Sequence, residues 1–303
     1  MAAPDPAAVF DRRLVRRRRD RAAATAGAVA PILEVAADIL LDRLDDTTRR
    51  FTRALDLGGR GAVAPLLRAR GIPLVVSQDL SAPMAARAGG LAVAGDEEWL
   101  PYAPESFDLV IASLSLHWVN DLPGALIQLR RALRPDGLFL ASLPGLGTLG
   151  PLRAAFAEAE AELRGGLSPR VSPFPELRDL AGLLQRAGFA LPVADAQDLP
   201  LAWRTPMGLL RDLRAAGEGN AVAARDPRVP PRALFPTELA RLAPGPDGTF
   251  AAPLRLLVMT GWAPHESQSR PARPGSADAR LADALGTVER SAGERAGRGP
   301  VGR

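Results

Sequence analysis

With 303 residues, 47% of them hydrophobic and 24% charged, the chain has the length and apolar content of a folded protein with a large core. Its 38 basic residues are all Arg and exceed the acids by only +4, which gives no electrostatic ground for a nucleic-acid partner. No Cys is present, so disulfides, thiolate zinc sites and cysteine nucleophiles are excluded, and two histidines far apart, His117 and His265, point to no metal.

In chain order, residues 8–48 read as helical, with Phe10, Leu14, Ile32, Leu33, Val35 and Ile39 to Leu41 recurring at three- and four-residue spacing. Between Asp11 and Arg21 lie seven Arg and two Asp. That run reads as a solvated face, as a docking surface for an acidic partner, or as a helix closing over a cofactor. From Arg53 to Ser142 strand and helix alternate, which predicts a parallel sheet with right-handed crossovers. Strands are expected at 53–57, 73–77, 91–94, 107–113 and 137–142, with helices at 61–69, 82–88 and 122–133 between them. The turn Arg134-Pro135-Asp136-Gly137 stops the last helix. Helices at 151–164, 176–187 and 206–217 and strands at 189–194 and 253–261 follow. The division expected is a helical arm at 1–48, a core at 49–145, a covering half at 146–265 and a mostly disordered tail at 266–303, where Ser, Pro, Gly, Arg and Glu dominate. Apolar runs fall far short of the ~20 residues of a membrane helix. No apolar segment follows the basic N-terminus, so no membrane span and a cytoplasmic location are expected.

The chemistry concentrates in one stretch. Leu55-Asp56-Leu57-Gly58-Gly59-Arg60-Gly61 ends a strand, and the next strand ends eighteen residues after Gly61 in Gln78-Asp79. Glycines let backbone approach a ligand closely, and a carboxylate at a strand end can accept hydrogen bonds from both hydroxyls of a ribose. The order therefore predicts an adenosine-bearing cofactor. Asp96 could accept from an exocyclic amine. Each acid could instead cap a helix or sit in a solvated turn, and Ser81 could cap the helix beginning near Ala82. The loop fails the dinucleotide pattern, because Arg60 and Val63 stand where glycines belong. His117, just past the fourth strand, reads as a general base or as a hydrogen-bonded wall beside Trp118, itself a cleft wall or packing.

The ordered set Ala54-Leu55-Asp56-Leu57-Gly58, Gln78-Asp79-Leu80-Ser81, Gly95-Asp96-Glu97-Glu98, Leu100-Pro101-Tyr102, Ser106-Phe107-Asp108-Leu109-Val110 and Leu133 to Gly137 resembles class I S-adenosylmethionine-dependent methyltransferases of the type 11 group. Phe10-Asp11-Arg12, Ser113 to Gly124, Ser168 to Phe174 and Thr260 to His265 resemble the respiratory complex I assembly factor 5 family and its bacterial homologues. A more distant likeness is to malonyl-carrier-protein methyltransferases. The resemblance implies an α/β, Rossmann-like class I methyltransferase fold: a seven-stranded, mostly parallel sheet flanked by helices, its last strand antiparallel. It implies S-adenosyl-L-methionine as cofactor. Asp56, Gly58, Gly59 and Gly61 would lie against its methionine part, Asp79 and Leu80 against the ribose, Asp96 and Glu97 against the adenine, and Ser113 and Ser115 beside the reactive methyl. The methyl acceptor is left open. A complex I subunit as partner, with S-adenosylmethionine-dependent arginine hydroxylation, is one alternative, and a non-catalytic adaptor is another. The departure from the family pattern is Arg60, which would repel a sulfonium unless paired.

Overall fold

The computed structural model describes residues 8–268 and 280–288. Seven strands form one sheet: β1 (Arg53–Leu57), β2 (Leu74–Asp79), β3 (Leu91–Ala94), β4 (Phe107–Ser113), β5 (Leu133–Pro144), β6 (Ala190–Leu199) and, after a two-stranded ribbon of β7 (Ala202–Trp203) and β8 (Phe250–Ala251), β9 (Leu254–Trp262). Their order is β3-β2-β1-β4-β5-β9-β6. The first five are parallel, and β9 runs antiparallel between β5 and β6. This is the seven-stranded sheet with an antiparallel final strand that the motifs imply. The strand order reverses direction between β1 and β4, and a crevice opens at such a switch point beyond the carboxyl ends of the strands.

Both faces of the sheet are covered, so β4 is buried at every position. Its side chains alternate. Leu109 and Ile111 pack with Leu33, Leu40 and Leu41 of α2 (Ala30–Asp45) and with Leu67 of α3 (Val63–Ala69). Val110 and Ala112 face the other way and join a cluster with Leu126 and Leu129 of α5 (Leu122–Ala132) and Leu180 and Leu184 of α7 (Leu177–Arg186). Local signals set several helix starts. Ser81 accepts a hydrogen bond from Met84 N at the start of α4 (Ala82–Ala86), and Asp121 accepts one from Gly124 N at α5. Thr205 does the same for α8 (Pro206–Ala215). α6 (Gly150–Arg164) ends on Gly165 in the left-handed region.

The region expected to be helical over 8–48 holds two helices. α1 (Arg12–Ala22) and α2 are separated by a short 3-10 turn, Ala26–Val29, and their axes differ by 91°. Pro31 explains the break: it has no N–H to donate and its ring clashes with the carbonyl four residues earlier, at Gly27. The bend lets α2 pack on the sheet while α1 crosses the strand ends. Two further differences are the strand at 133–144, which includes the expected turn with Asp136 at φ +61°, and α9 (Leu234–Arg241), which sequence reading did not find. No single helix among the described residues is long and apolar enough to cross a membrane. The C-terminal segment beginning at Ser267 contains α10 (Leu281–Ala284). The loose tail expected there falls, for 269–279 and 289–303, outside the described residues.

Asp108 fixes the depth at which β1 enters the sheet. Its carboxylate accepts from Thr52 N and Arg53 N and from Thr52 Oγ1, at 2.7 to 3.1 Å. Asp108→Ala leaves these donors without a charged acceptor, and urea unfolding should show a loss of about 2 to 3 kcal/mol. An unchanged midpoint and slope would mean the contacts carry no net stability.

Candidate functional site

The loop after β1 is shaped by its own backbone. Gly58 has φ +68°, and a Cβ there would lie 2.4 Å from Ser115 Cβ, so only glycine lets the two loops touch. Gly61 has φ +94°, and a Cβ there would lie 3.1 Å from the carbonyl oxygen of Arg87. Between them Arg60 adopts φ +53°, a conformation costing a side-chain-bearing residue about 1 to 2 kcal/mol. The Arg has thus taken a glycine's conformation, and its contacts offset the strain. Nη2 donates to Leu114 O at 2.7 Å and to Glu218 Oε1. Asp56 braces the same loop rather than facing a cavity. Its Oδ1 accepts from Gly59 N at 3.1 Å and its Oδ2 from Ser77 Oγ at 3.2 Å. Burial pushes its carboxyl up to about 7 in spite of these bonds.

The acids foreseen for a nucleoside do come together at the strand ends, but α1 lies over them. Asp79, the last residue of β2, is buried, with Oδ1 accepting from Ser81 N at 2.8 Å and Oδ2 from Arg19 Nη1 at 3.2 Å. Its lone pairs, expected to be free for hydroxyl donors, are therefore engaged. Glu97 Oε1 accepts from the same Arg19 nitrogen at 3.1 Å, and Glu97 Oε2 and Asp96 Oδ1 both accept from Arg12 Nη2. Burial raises the Asp79 carboxyl more than Arg19 lowers it. Burial also acts upward on Glu97, but Arg19 and Arg12 together outweigh it and hold that carboxyl below its usual range. Leu80 is packed with Phe10, Val15 and Trp118. Ser113, ending β4, and Ser115 are also buried, and Ser115 Oγ has no hydrogen-bond partner among the described residues.

A second cluster stands on the other side of Trp118. Glu218, in the loop after α8, receives His117 Nε2 at 2.8 Å, Trp118 Nε1 at 2.7 Å and Arg60 Nη2. Burial would raise Glu218, but Arg60 and His117 dominate and hold it well below the carboxylate range, so it is ionised. Burial lowers His117 more than Glu218 raises it. His117 is therefore neutral with Nε2–H donating to Glu218, which leaves Nδ1 as a buried lone pair without a partner among the described residues. This cluster borders a cavity of about 890 Å³, whose wall includes Phe156, Phe174, Trp203 and Leu209 together with Arg18 and Arg21. Sequence reasoning missed Glu218, and its one signal was an acid set between Gly217 and Gly219. It also treated the N-terminal arginines as one run and did not separate Arg12 and Arg19, which turn inward. No group of three or more candidate metal ligands occurs among the described residues.

Comparison with known proteins decides the family. Residues 55–141 match the family model described as a methyltransferase domain. The chain is 35% identical over 289 residues to "Arginine-hydroxylase NDUFAF5, mitochondrial" of Danio rerio, covering 91% of this chain and 89% of that protein. It is also 35% identical over 276 residues to "Malonyl-[acyl-carrier protein] O-methyltransferase" of Halorhodospira halophila, covering 86% and 90%. The chain belongs to the class I S-adenosylmethionine-dependent methyltransferases. The YcgJ protein of Bacillus subtilis shares the fold, with a TM-score of 0.51 at 15% identity over 75% of this chain and 98% of that one. As a methyltransferase-type enzyme, the chain uses S-adenosylmethionine. The Danio rerio protein is named as mitochondrial, so it lends no support to the cytoplasmic expectation. The residues present fit the cofactor: a loop that only glycine can form at Gly58, carboxylates at the ends of β2 and β3, and unpartnered buried polar atoms on Ser115 and His117.

Two measurements follow from the electrostatics. Asp56 is raised from 3.8 to about 7 on folding, so its contribution is complete below the unfolded value and is lost as pH rises through 7. Asp56→Asn should remove that fall in stability between pH 4 and 7 in urea titrations. Glu218 raises His117, so Glu218→Gln should move the His117 ring resonance to titrate at still lower pH, with His265 as internal reference. An upward move would show that Glu218 does not hold the ring.

Proposed function

We propose that the chain transfers the methyl of S-adenosylmethionine to an acceptor entering the cavity beside His117, with the cofactor held across the ends of β1, β2, β3 and β4. The observation that carries this reading is the convergence of Gly58, Gly59, Gly61, Asp79, Asp96 and Ser113 at the switch point of the sheet, next to that cavity. The backbone of Gly58, Gly59 and Gly61 would take the methionine end, with Asp56 keeping the loop in shape. Asp79 would hold the ribose hydroxyls with Leu80 against the nucleoside, Asp96 and Glu97 would meet the adenine, and Ser113 and Ser115 would flank the reacting centre. When bound, the cofactor supplies an electrophilic methyl on a sulfonium. The protein's part is alignment of the acceptor, exclusion of water and removal of a proton. His117, neutral and oriented by Glu218, would accept that proton at Nδ1. Arg60 is neutralised by Glu218, which removes its repulsion of the sulfonium.

The cavity joins aromatic and aliphatic walls to the guanidiniums of Arg18 and Arg21. That combination suits an acceptor with an apolar body and an anionic group, a chemistry shared with the substrate in the Halorhodospira halophila relative's name. A second reading, S-adenosylmethionine-dependent hydroxylation of a protein arginine, draws on the Danio rerio relative's name, which is that of an arginine hydroxylase. A labelled-methyl assay on an acyl carboxylate, beside mass spectrometry of an arginine peptide for a gained oxygen atom, separates the two.

Calorimetric titration with S-adenosylmethionine tests the common part. Asp79→Ala should weaken binding by about 1.5 to 3 kcal/mol, the range for hydrogen bonds to a charged group. Equal affinity in the two proteins would remove Asp79 from the site.

A further inference from the structure

Helix α1 sits where the nucleoside end of the cofactor must lie, and it does so with charge. Arg19 is fully buried and spends one nitrogen, Nη1, on both Asp79 Oδ2 and Glu97 Oε1. A ribose diol would have to reach the oxygen of Asp79 that this guanidinium already holds, so the two compete there. Val15 and Phe10 meanwhile cover Leu80. The fit is incomplete: Arg19 Nε and Nη2 are buried with no partner among the described residues. Buried donors left unpaired carry a desolvation cost, which keeps the closed arrangement from being as stable as its ion pairs alone would make it.

The helix is also fastened as a movable part would be. At its C-terminal end stands the 91° bend through Ala23 to Val29, a short 3-10 segment that can act as a hinge. At its N-terminal end the fastening is mostly polar: Arg12 donates to Trp118 O and pairs with Asp96 and Glu97, and Asn120 bonds both the N–H and the carbonyl of Phe10. Phe10 pairs with Val222 in a single antiparallel bridge, flanked by Asp11 N donating to Ala221 O and Ala223 N donating to Val9 O, each at 2.8 Å. Asp11 adds an ion pair to Arg225 at 3.1 Å. Outward-facing Arg13, Arg16 and Arg17 lie on the opposite side of α1, so the apolar cost of lifting it falls on Val15 and Ala22 of its inward face.

We propose that α1 is an autoinhibitory gate: Arg19 occupies the carboxylates of the nucleoside site, and S-adenosylmethionine binds only after the helix swings away about the 23–29 hinge. The proposal rests on the cofactor placement above and adds a competition to it. Apparent affinity is then the intrinsic affinity reduced by the fraction of molecules in the open form.

Two variants test it by calorimetry with S-adenosylmethionine. Arg19→Gln removes the competitor and should tighten binding by about tenfold or more if the open form is a minor state. A supporting wall would give the reverse, and weaker binding by Arg19→Gln overturns the gate. The second variant is the pair Phe10→Cys and Val222→Cys, in a chain with no other cysteine. These residues face each other as a non-hydrogen-bonded antiparallel pair, the closer of the two pair types, which suits a disulfide. The oxidised protein, with α1 locked down, should lose binding, and dithiothreitol should restore it. Equal binding by the oxidised and reduced forms overturns the gate while leaving the cofactor placement intact. No binding by any form, wild type included, overturns the cofactor reading and the gate with it.

Discussion

The buried contact of Arg19 with Asp79 and Glu97 is the constraint around which the strand-end region is organised. Two carboxylates at the ends of adjacent strands cannot both stay ionised in a dry crevice without a counter-charge. The chain supplies one from sixty residues upstream of Asp79, on a helix that the rest of the arm exists to position. The bend at Pro31 follows from this requirement. Were residues 8–48 one straight helix, the packing of α2 on the sheet would carry α1 away from the acids. The break lets one segment serve the core and the other the site.

A second counter-charge solves the same problem on the other side of Trp118. Arg60 carries a positive charge into the cofactor loop, and Glu218 meets it from the C-terminal half of the chain. Glu218 then does two further things with one oxygen, taking the indole N–H of Trp118 and fixing the tautomer of His117. Residues 19, 60, 79, 97, 117 and 218 thus form two neighbouring ion-pair systems, coupled through the attraction of Arg19 for Glu218. Because every member is buried or half-buried, removing one partner leaves its mate exposed to the full penalty of an unpaired charge. Such a site tolerates exchange of the whole pair better than loss of half of it.

Much of the scaffold was legible in the sequence for simple reasons. Strands here are short apolar runs bounded by turn residues, and Ala54 to Leu57, Phe107 to Ser113 and, at the exposed edge, Leu91 to Ala94 have that form, so their bounds could be read directly. The glycine loop and the acids after β2 and β3 were legible because their chemistry depends on order along the chain. What escaped was set by tertiary contact. Helix α9 begins at Leu234 behind a Pro-rich stretch and lacks a side-chain cap at Ala233. Arg12 and Arg19 could not be told from their neighbours, since seven arginines on one helix face both solvent and crevice, and only packing sorts them. Glu218 lies about a hundred residues from His117, and nothing local joins them.

The Arg60 substitution shows how a departure from a family pattern can be absorbed. A left-handed backbone conformation, a buried guanidinium and a cationic cofactor nearby are each unfavourable for arginine. Taken singly, each argues for a degraded loop. Together they are answered by one residue: Glu218 neutralises the charge, Leu114 O anchors the fork, and the bonds formed offset the strained φ. The arginine then becomes the link through which the loop after β1 senses the C-terminal half of the chain. A glycine at that position would free the backbone and cut the link, leaving Glu218 with only His117 and Trp118. The loop's irregular residue is therefore part of how His117 is held beside the cavity, and the pattern's weakest match is coupled through Glu218 to that ring.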